Sequence, residues 1–280
     1  MSAAKKLPEY SLNGHPLEVE KFEVFETATG ELATRSHSGV HIVFPPDERQ
    51  RVTDTTKFPW CTLGQLIMEF PNGKRYTGTA TLIDGSHLLT AAHNVYGKDI
   101  GGFATKVWYV PARNGDVFPY GVVAGKKLFI TEDYFTKSPA DPNATPDGTV
   151  EDYTHYTEDY AVVRLEQPLR LPIQGMYPAS NTELKDRQAH VTGYPGDKAP
   201  PDTMWTAHKP LSNGDDHFLF YKLDTYKGES GAGVVVDLGM PVGVTVVGVH
   251  VAGSVHLDTN FAVRLTSSHI KTILSWMKME

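Results

Sequence analysis

Cysteine is nearly missing: Cys61 is the only one in a chain of 280 residues. No intrachain disulfide can form, and no Cys-rich zinc site exists. A chain without disulfides fits the cytosol but does not exclude secretion. Long apolar runs are also missing. None approaches the roughly 20 residues of a membrane-spanning helix, so no membrane partner is expected. The opening MSAAKKLPEY has two lysines but no apolar stretch behind them, and does not read as a signal peptide. Basic charge is the minority, with 26 Lys and Arg against 33 Asp and Glu and a formal charge of −7. No basic stripe is present to neutralise phosphates, so no nucleic-acid partner is expected. The acidic stretch 133–159 could hold calcium, yet it lacks the Asp-x-Asp-x-Asp-Gly spacing of a calcium loop. The sequon at 143–145 has meaning only outside the cell, and Pro146 weakens it.

What is present is a folding composition, 40% hydrophobic and 21% charged. The length suits one large domain or two small ones. Residues 1–41 are polar and weakly patterned and are expected to form an N-terminal extension. From residue 60 the pattern is of short strands. GQLIMEF, the turn pair Asn72-Gly73, RYTGTATLI, the pair Asp84-Gly85 and HLLTAAH follow one another, which predicts an antiparallel meander. KVWYVPA, YGVVAGKKLFI and DYAVVRL continue it, and 133–159 is expected to be a long surface loop. The second half repeats the style in AHVTGYPG, FLFYKLDT, GAGVVVDL, VGVTVVGVHVAG and NFAVRL. The end differs: Ile270, Ile273, Leu274 and Met277 recur at helical spacing, with Thr266 or Ser267 as N-cap. The expected fold is all-β, two six-stranded antiparallel β-barrels with a C-terminal α-helix. The first barrel is expected over 42–170 and the second over 171–280.

DTYKGESGAGVVV (224–236) raises the question of chemistry. A buried strand accounts for the valines but not for Gly-Glu-Ser-Gly. Ser230 is either a surface turn residue or a nucleophile. A serine hydroxyl needs an adjacent base, and His93, ending an apolar strand in the small-residue turn Thr90-Ala91-Ala92, is one candidate; the alternative is a plain strand-end histidine. Asp159, just before the apolar AVVRL, is either a strand-capping residue or the carboxylate that orients the imidazole. Gly228 and Ser230 amides would be the natural oxyanion donors, each worth roughly 3 kcal/mol of transition-state stabilisation.

TAAH, DYAVVRL and GESG together resemble the catalytic blocks of chymotrypsin-fold serine proteases, in the order His93, Asp159, Ser230. RQRVTDTTKFPW (49–60) and VTGYPGDKAPPDTMW (191–205) are similar to segments of bacterial glutamyl endopeptidases, and SVHLD (254–258) resembles the related exfoliative toxins. The resemblance implies a serine endopeptidase that cuts proteins or peptides after glutamate or aspartate. It also implies substrate-binding roles for Thr225 and His250, with Val251, Ala252 and Gly253 forming the edge along which substrate pairs. The chemistry needs no cofactor, and a monomer is expected. By register the mature start falls at Ile42, which would make 1–41 a removable prosegment, and the resemblance implies secretion. Glu229 departs from the family's usual asparagine, and the activating pairing known where aspartate stands there is not carried over. A toxin-like protease of narrow specificity and a catalytically dormant binding protein are the alternatives.

Overall fold

The computed structural model describes residues 9–12, 33–34, 41–138, 156–255 and 257–279. The sequon, most of the 133–159 stretch, most of the N-terminal extension and His256 lie outside these residues.

Six strands build the first barrel: β1 (Leu63–Glu69), β2 (Arg75–Leu82), β3 (His87–Thr90), β4 (Lys106–Pro111), β5 (Val123–Ile130) and β6 (Ala161–Leu165). They pair antiparallel in the order β5-β6-β3-β2-β1-β4, and β4 pairs back onto β5 to close the ring. The predicted turns make it a meander. Gly73 takes φ 74°, which glycine tolerates, while Asn72 Oδ1 accepts the Lys74 amide at 3.0 Å. At the next corner Asp84 Oδ1 accepts the amides of Ser86 and His87 at 2.6 and 2.7 Å. Leu66, Met68, Leu82, Leu88, Leu128 and Val163 fill the interior.

The second sheet comprises β7 (Gln188–Gly193), β8 (Trp205–Pro210), β9 (Phe218–Tyr221), β10 (Gly233–Asp237), β11 (Val244–Ser254) and β12 (Thr259–Arg264). Its order is β9-β12-β11-β10-β7-β8, with short strands Asn213–Gly214 and Gln50–Arg51 added at its two ends. Among the described residues the hydrogen-bonded ring closes in the first sheet alone. Strand β8 was not expected, because Thr-Ala-His-Lys shows little apolar alternation.

Residues 42–52, which open the region grouped with the first barrel on sequence, make most of their hydrogen bonds with the second sheet and its loops. Asp224 accepts the Phe44 and Glu48 amides at 2.7 and 2.8 Å, and Gln50–Arg51 pairs with β8. The stretch expected to be loop from 133 opens with a helix, α1 (Glu132–Lys137), capped by Thr131.

The terminal helix, α2 (Ser267–Trp276), starts in a capping box in which Thr266 Oγ1 accepts the His269 amide. Ile273 and Trp276 are fully buried, whereas Leu274 is 43% exposed. The buried face thus runs 269–273–276, and Leu274 points about 100° away from it. Ile273 and Trp276 pack with Phe129 and Val162 of the first barrel and Phe261 and Val263 of the second, so the helix seals the junction.

Candidate active site

The turn that opens β10 carries Ser230. Glu229 N donates to Tyr226 O at 3.0 Å, and Tyr226 N donates back to Glu229 Oε2 at 2.8 Å. Gly228 sits at φ 102°, and a Cβ there would stand 2.3 Å from Tyr194 O. Only glycine fits that position. Among the described residues neither the Gly228 nor the Ser230 amide donates a backbone hydrogen bond.

The first barrel reaches across to this turn. Thr79 N donates to Ser230 O (2.9 Å), Thr79 Oγ1 to Gly228 O (2.8 Å), and Asn94 Nδ2 to Ser230 O (2.9 Å). Asn94 follows His93 in a one-turn helix, Ala92–Val95, that ends β3. Asp159 Oδ1 accepts the His93 amide at 2.9 Å and Oδ2 accepts from His93 Nδ1 at 2.7 Å; both side chains are fully buried. A carboxylate so placed holds the proton on Nδ1 and leaves Nε2 the basic nitrogen. The sequence-predicted His93, Asp159, Gly228 and Ser230 thus gather where the barrels meet.

Thr225, His250 and the edge 251–253 gather at the same place. Thr225 Oγ1 is buried and has no hydrogen-bond partner among the described residues. His250 Nδ1 lies 3.2 Å from Phe261 O and 2.7 Å from the Tyr221 hydroxyl. Strand β10 pairs with β11 only as far as Gly233↔Val249, so Val251, Ala252 and Gly253 run on past its end, Ala252 and Gly253 paired with β12 on the other side and Val251 at the bulge between His250 and Ala252.

His41 was not foreseen in this site. Its Nε2 is 3.3 Å from Ser230 Oγ and its Nδ1 is 3.1 Å from His250 Nε2. Burial, then His250 and His93 nearby, hold the His41 imidazole well below its ordinary value. Burial pushes His250 down to about 3, against the opposing bond to Phe261 O. Both rings are therefore neutral. His250 Nδ1 meets a carbonyl that can only accept and a Tyr221 hydroxyl that can donate or accept, and the ring tautomers set which way the bonds run through His250 and His41 to Ser230 Oγ. Ser230 Oγ also lies 3.5 Å from Val251 O.

A second polar cluster backs the turn. The Arg49 side chain is fully buried and forks onto Asp47 (Nε to Oδ1 3.0 Å, Nη2 to Oδ2 2.8 Å) and Asp197 (Nη1 to Oδ1 2.9 Å, Nη2 to Oδ2 2.5 Å). Nη1 stands 3.7 Å from Glu229 Oε2. Lys198 bonds Asp47 from the far side at 2.5 Å. Burial raises Glu229 to about 8 although Arg49 and the Tyr226 amide pull it down.

Two packed antiparallel sheets, the first closed into a six-stranded barrel, with a helix sealing their junction, form the architecture of the chymotrypsin-fold serine endopeptidases. The family profile described as Trypsin matches residues 50–274, and the chain belongs to the trypsin family. It is 28% identical over 233 residues to an extracellular metalloprotease of Bacillus subtilis (strain 168), covering 82% of this chain and 68% of that protein. It is 28% identical over 213 residues to a glutamyl endopeptidase of Bacillus licheniformis, covering 76% and 60%. A glutamyl endopeptidase of Staphylococcus aureus (strain N315) is 25% identical over 259 residues, covering 86% and 66%. The chain thus spans about two thirds of the length of these relatives. Among solved structures, a Glu endopeptidase in complex with MPD superposes with a TM-score of 0.71 at 20% identity, covering 85% of this chain and 100% of that one. The first relative's name speaks of a metal; among the described residues no group of three or more His, Cys, Asp or Glu is placed to hold one.

Proposed function

We propose that this chain hydrolyses peptide bonds after acidic residues, glutamate above all, and that it is latent until residues 1–41 are removed. The observation that carries the proposal is the place of His41. A polar side chain of the chain itself spans Ser230 Oγ and His250 Nε2, where the side chain before a scissile bond would lie. With His41 gone, a substrate carboxylate has the buried Thr225 hydroxyl and His250 as partners. A buried carboxylate must be hydrogen-bonded or paired, and its charge favours a proton on His250 Nε2. Two of the relatives are named for glutamyl cleavage, in keeping with this pocket.

In the reaction Ser230 Oγ attacks the carbonyl carbon while His93 Nε2 takes its proton. Asp159 holds the imidazolium. The Gly228 and Ser230 amides receive the oxyanion. The proton passes to the leaving amine, and water, deprotonated by the same imidazole, releases the acyl group. The substrate strand pairs along Val251, Ala252 and Gly253. Cleavage before Ile42 would free an α-amine beside Asn260, whose Oδ1 accepts the Ile42 amide at 3.0 Å.

The test uses the full chain, a form beginning at Ile42, and Ser230→Ala, each against peptides varied at the residue before the cleaved bond. Cleavage after glutamate by the Ile42 form, none by Ser230→Ala and little by the full chain is the expected result. Cleavage after other residues would remove the pocket reading. An active form that mass spectrometry shows still beginning at Met1 would remove the latency reading.

A further inference from the structure

Glu229 directly precedes Ser230, is fully buried, and has one carboxylate oxygen, Oε1, with no hydrogen-bond partner among the described residues. Such a group is costly to bury without a compensating charge. The compensating charge comes from the second polar cluster. We infer that Arg49 is a positioning residue for the oxyanion turn, acting through Glu229, and that it sets this turn before any cleavage of the chain. The inference rests on the reading of Gly228 and Ser230 as oxyanion donors.

Three chain segments converge on the guanidinium. Asp47 and Arg49 itself belong to the stretch that follows Ile42. Asp197 belongs to the loop 194–198, whose Gly196 N donates to Lys227 O at 2.8 Å and whose Tyr194 O abuts Gly228. Glu229 belongs to the turn. The two forks fix the guanidinium plane, and a planar group held at both ends presents its remaining face in one direction. Nη1 points toward Glu229 Oε2, the same oxygen that accepts the Tyr226 amide and closes the turn. On the other side Gly193 leaves room for the carboxylate: a Cβ there would press the Glu229 Cγ at 3.1 Å. The charges also fit. Arg49 and Lys198 balance Asp47 and Asp197, so the cluster is neutral when Glu229 carries a proton and bears one negative charge when it does not. Loss of Arg49 would leave acidic groups facing one another behind the oxyanion turn.

The Ile42 amide, by contrast, meets Asn260 and not Glu229. The turn's charge partner is therefore already in place in the uncut chain. Removal of residues 1–41 would then open the pocket without having to build the oxyanion turn.

The experiment measures the rate at which a serine-directed fluorophosphonate labels Ser230 in the full chain carrying His41→Ala. Arg49→Met is added alone, Glu229→Gln alone, and both together; kcat and KM on a glutamyl peptide are read alongside. Arg49→Met is expected to slow labelling and kcat about tenfold to a hundredfold, the scale of a small misplacement in a site, with KM little changed. Glu229→Gln in the same chain is expected to restore much of that loss when both are measured at about pH 9, above the value of about 8 to which burial raises Glu229, because there it removes the charge that Arg49 answers. Arg49→Lys, which keeps the charge but not the fork, should fall between. Equal labelling by Arg49→Met and its parent would overturn the inference, as would a loss that Glu229→Gln leaves untouched, since Arg49 would then matter only to Asp47 and Asp197. If Arg49→Met does not fold, Arg49→Lys with and without Glu229→Gln decides by the same comparison. A parent chain that never labels would overturn the underlying reading of Ser230, and this inference with it.

Discussion

The segment 41–49 has two ends that meet the same turn in opposite ways. At one end His41 touches Ser230 and His250 through neutral contacts of 3.3 and 3.1 Å. At the other, Arg49 makes four charge-assisted bonds of 2.5 to 3.0 Å to two carboxylates. Neutral bonds of that length are individually weak, while breaking a buried ionic fork leaves uncompensated charge. Under the proposed latency the weakly held end would leave and the strongly held end would stay, which is consistent with a boundary near Ile42 on energetic grounds.

The largest effect expected is that of Ser230→Ala, a fall in kcat of roughly six orders of magnitude. The variant also removes one of His41's two contacts, so hydrogen exchange at residues 41–44 should rise while that at 47–49 stays slow. Equal exchange at both ends would erase the contrast. Gly228→Ala comes next, because its Cβ cannot share space with Tyr194 O. It should cut kcat about a hundredfold or more through the displaced turn, as steady-state kinetics would show.

Stability separates the two ends directly. In urea unfolding, Arg49→Met is expected to cost about 1.5–3 kcal/mol, the scale of hydrogen bonds to charged groups, because the Asp47 and Asp197 carboxylates left behind are partly exposed. His41→Ala should cost no more than about 1 kcal/mol and should speed fluorophosphonate labelling. A His41 variant as destabilised as the Arg49 variant would reverse the assignment of which end leaves.

The smallest effect is a slope with pH. Burial lifts Glu229 to about 8 from its ordinary 4.5. Between those values the folded chain holds a proton that the unfolded chain has released, so this group's contribution to stability falls as pH rises through that window. Arg49, Asp47, Asp197 and Tyr221 face the same carboxylate and share in the balance. Glu229→Gln should flatten the slope in unfolding measured at about pH 5 and about pH 9.

Features carried by neighbouring residues were legible in the sequence. Asn72-Gly73 and Asp84 make their turns with their own side chains, and Thr266 caps its helix three residues ahead. Ser230, His93 and Asp159 were legible as motifs in order. The polar cluster was not: Arg49 and Asp197 are 148 positions apart, and nothing in RQRVTD marks its first arginine as buried. His41 and Tyr221 were missed for the same reason, since a histidine or tyrosine announces no partner until the chain folds. Strand β8 escaped because a polar, half-exposed strand has no apolar alternation to read. The glycine at 228 and the glutamate at 229 were noticed as oddities, but their cause lay in Tyr194 and Arg49, outside any local window.

Thr79 carries a last consequence. From the first barrel it holds Gly228 O and Ser230 O, and its hydroxyl also accepts the Tyr194 amide at 3.2 Å. The geometry of the Ser230 turn is thus a property of two docked halves and of neither alone. While the chain is being made, the half bearing His93 emerges first and lacks Ser230, and the half bearing Ser230 lacks the Thr79 and Asn94 contacts until the two meet. If Ser230 is the nucleophile, as proposed, a nascent or partly unfolded copy would lack the docked halves that set it and would not digest its siblings.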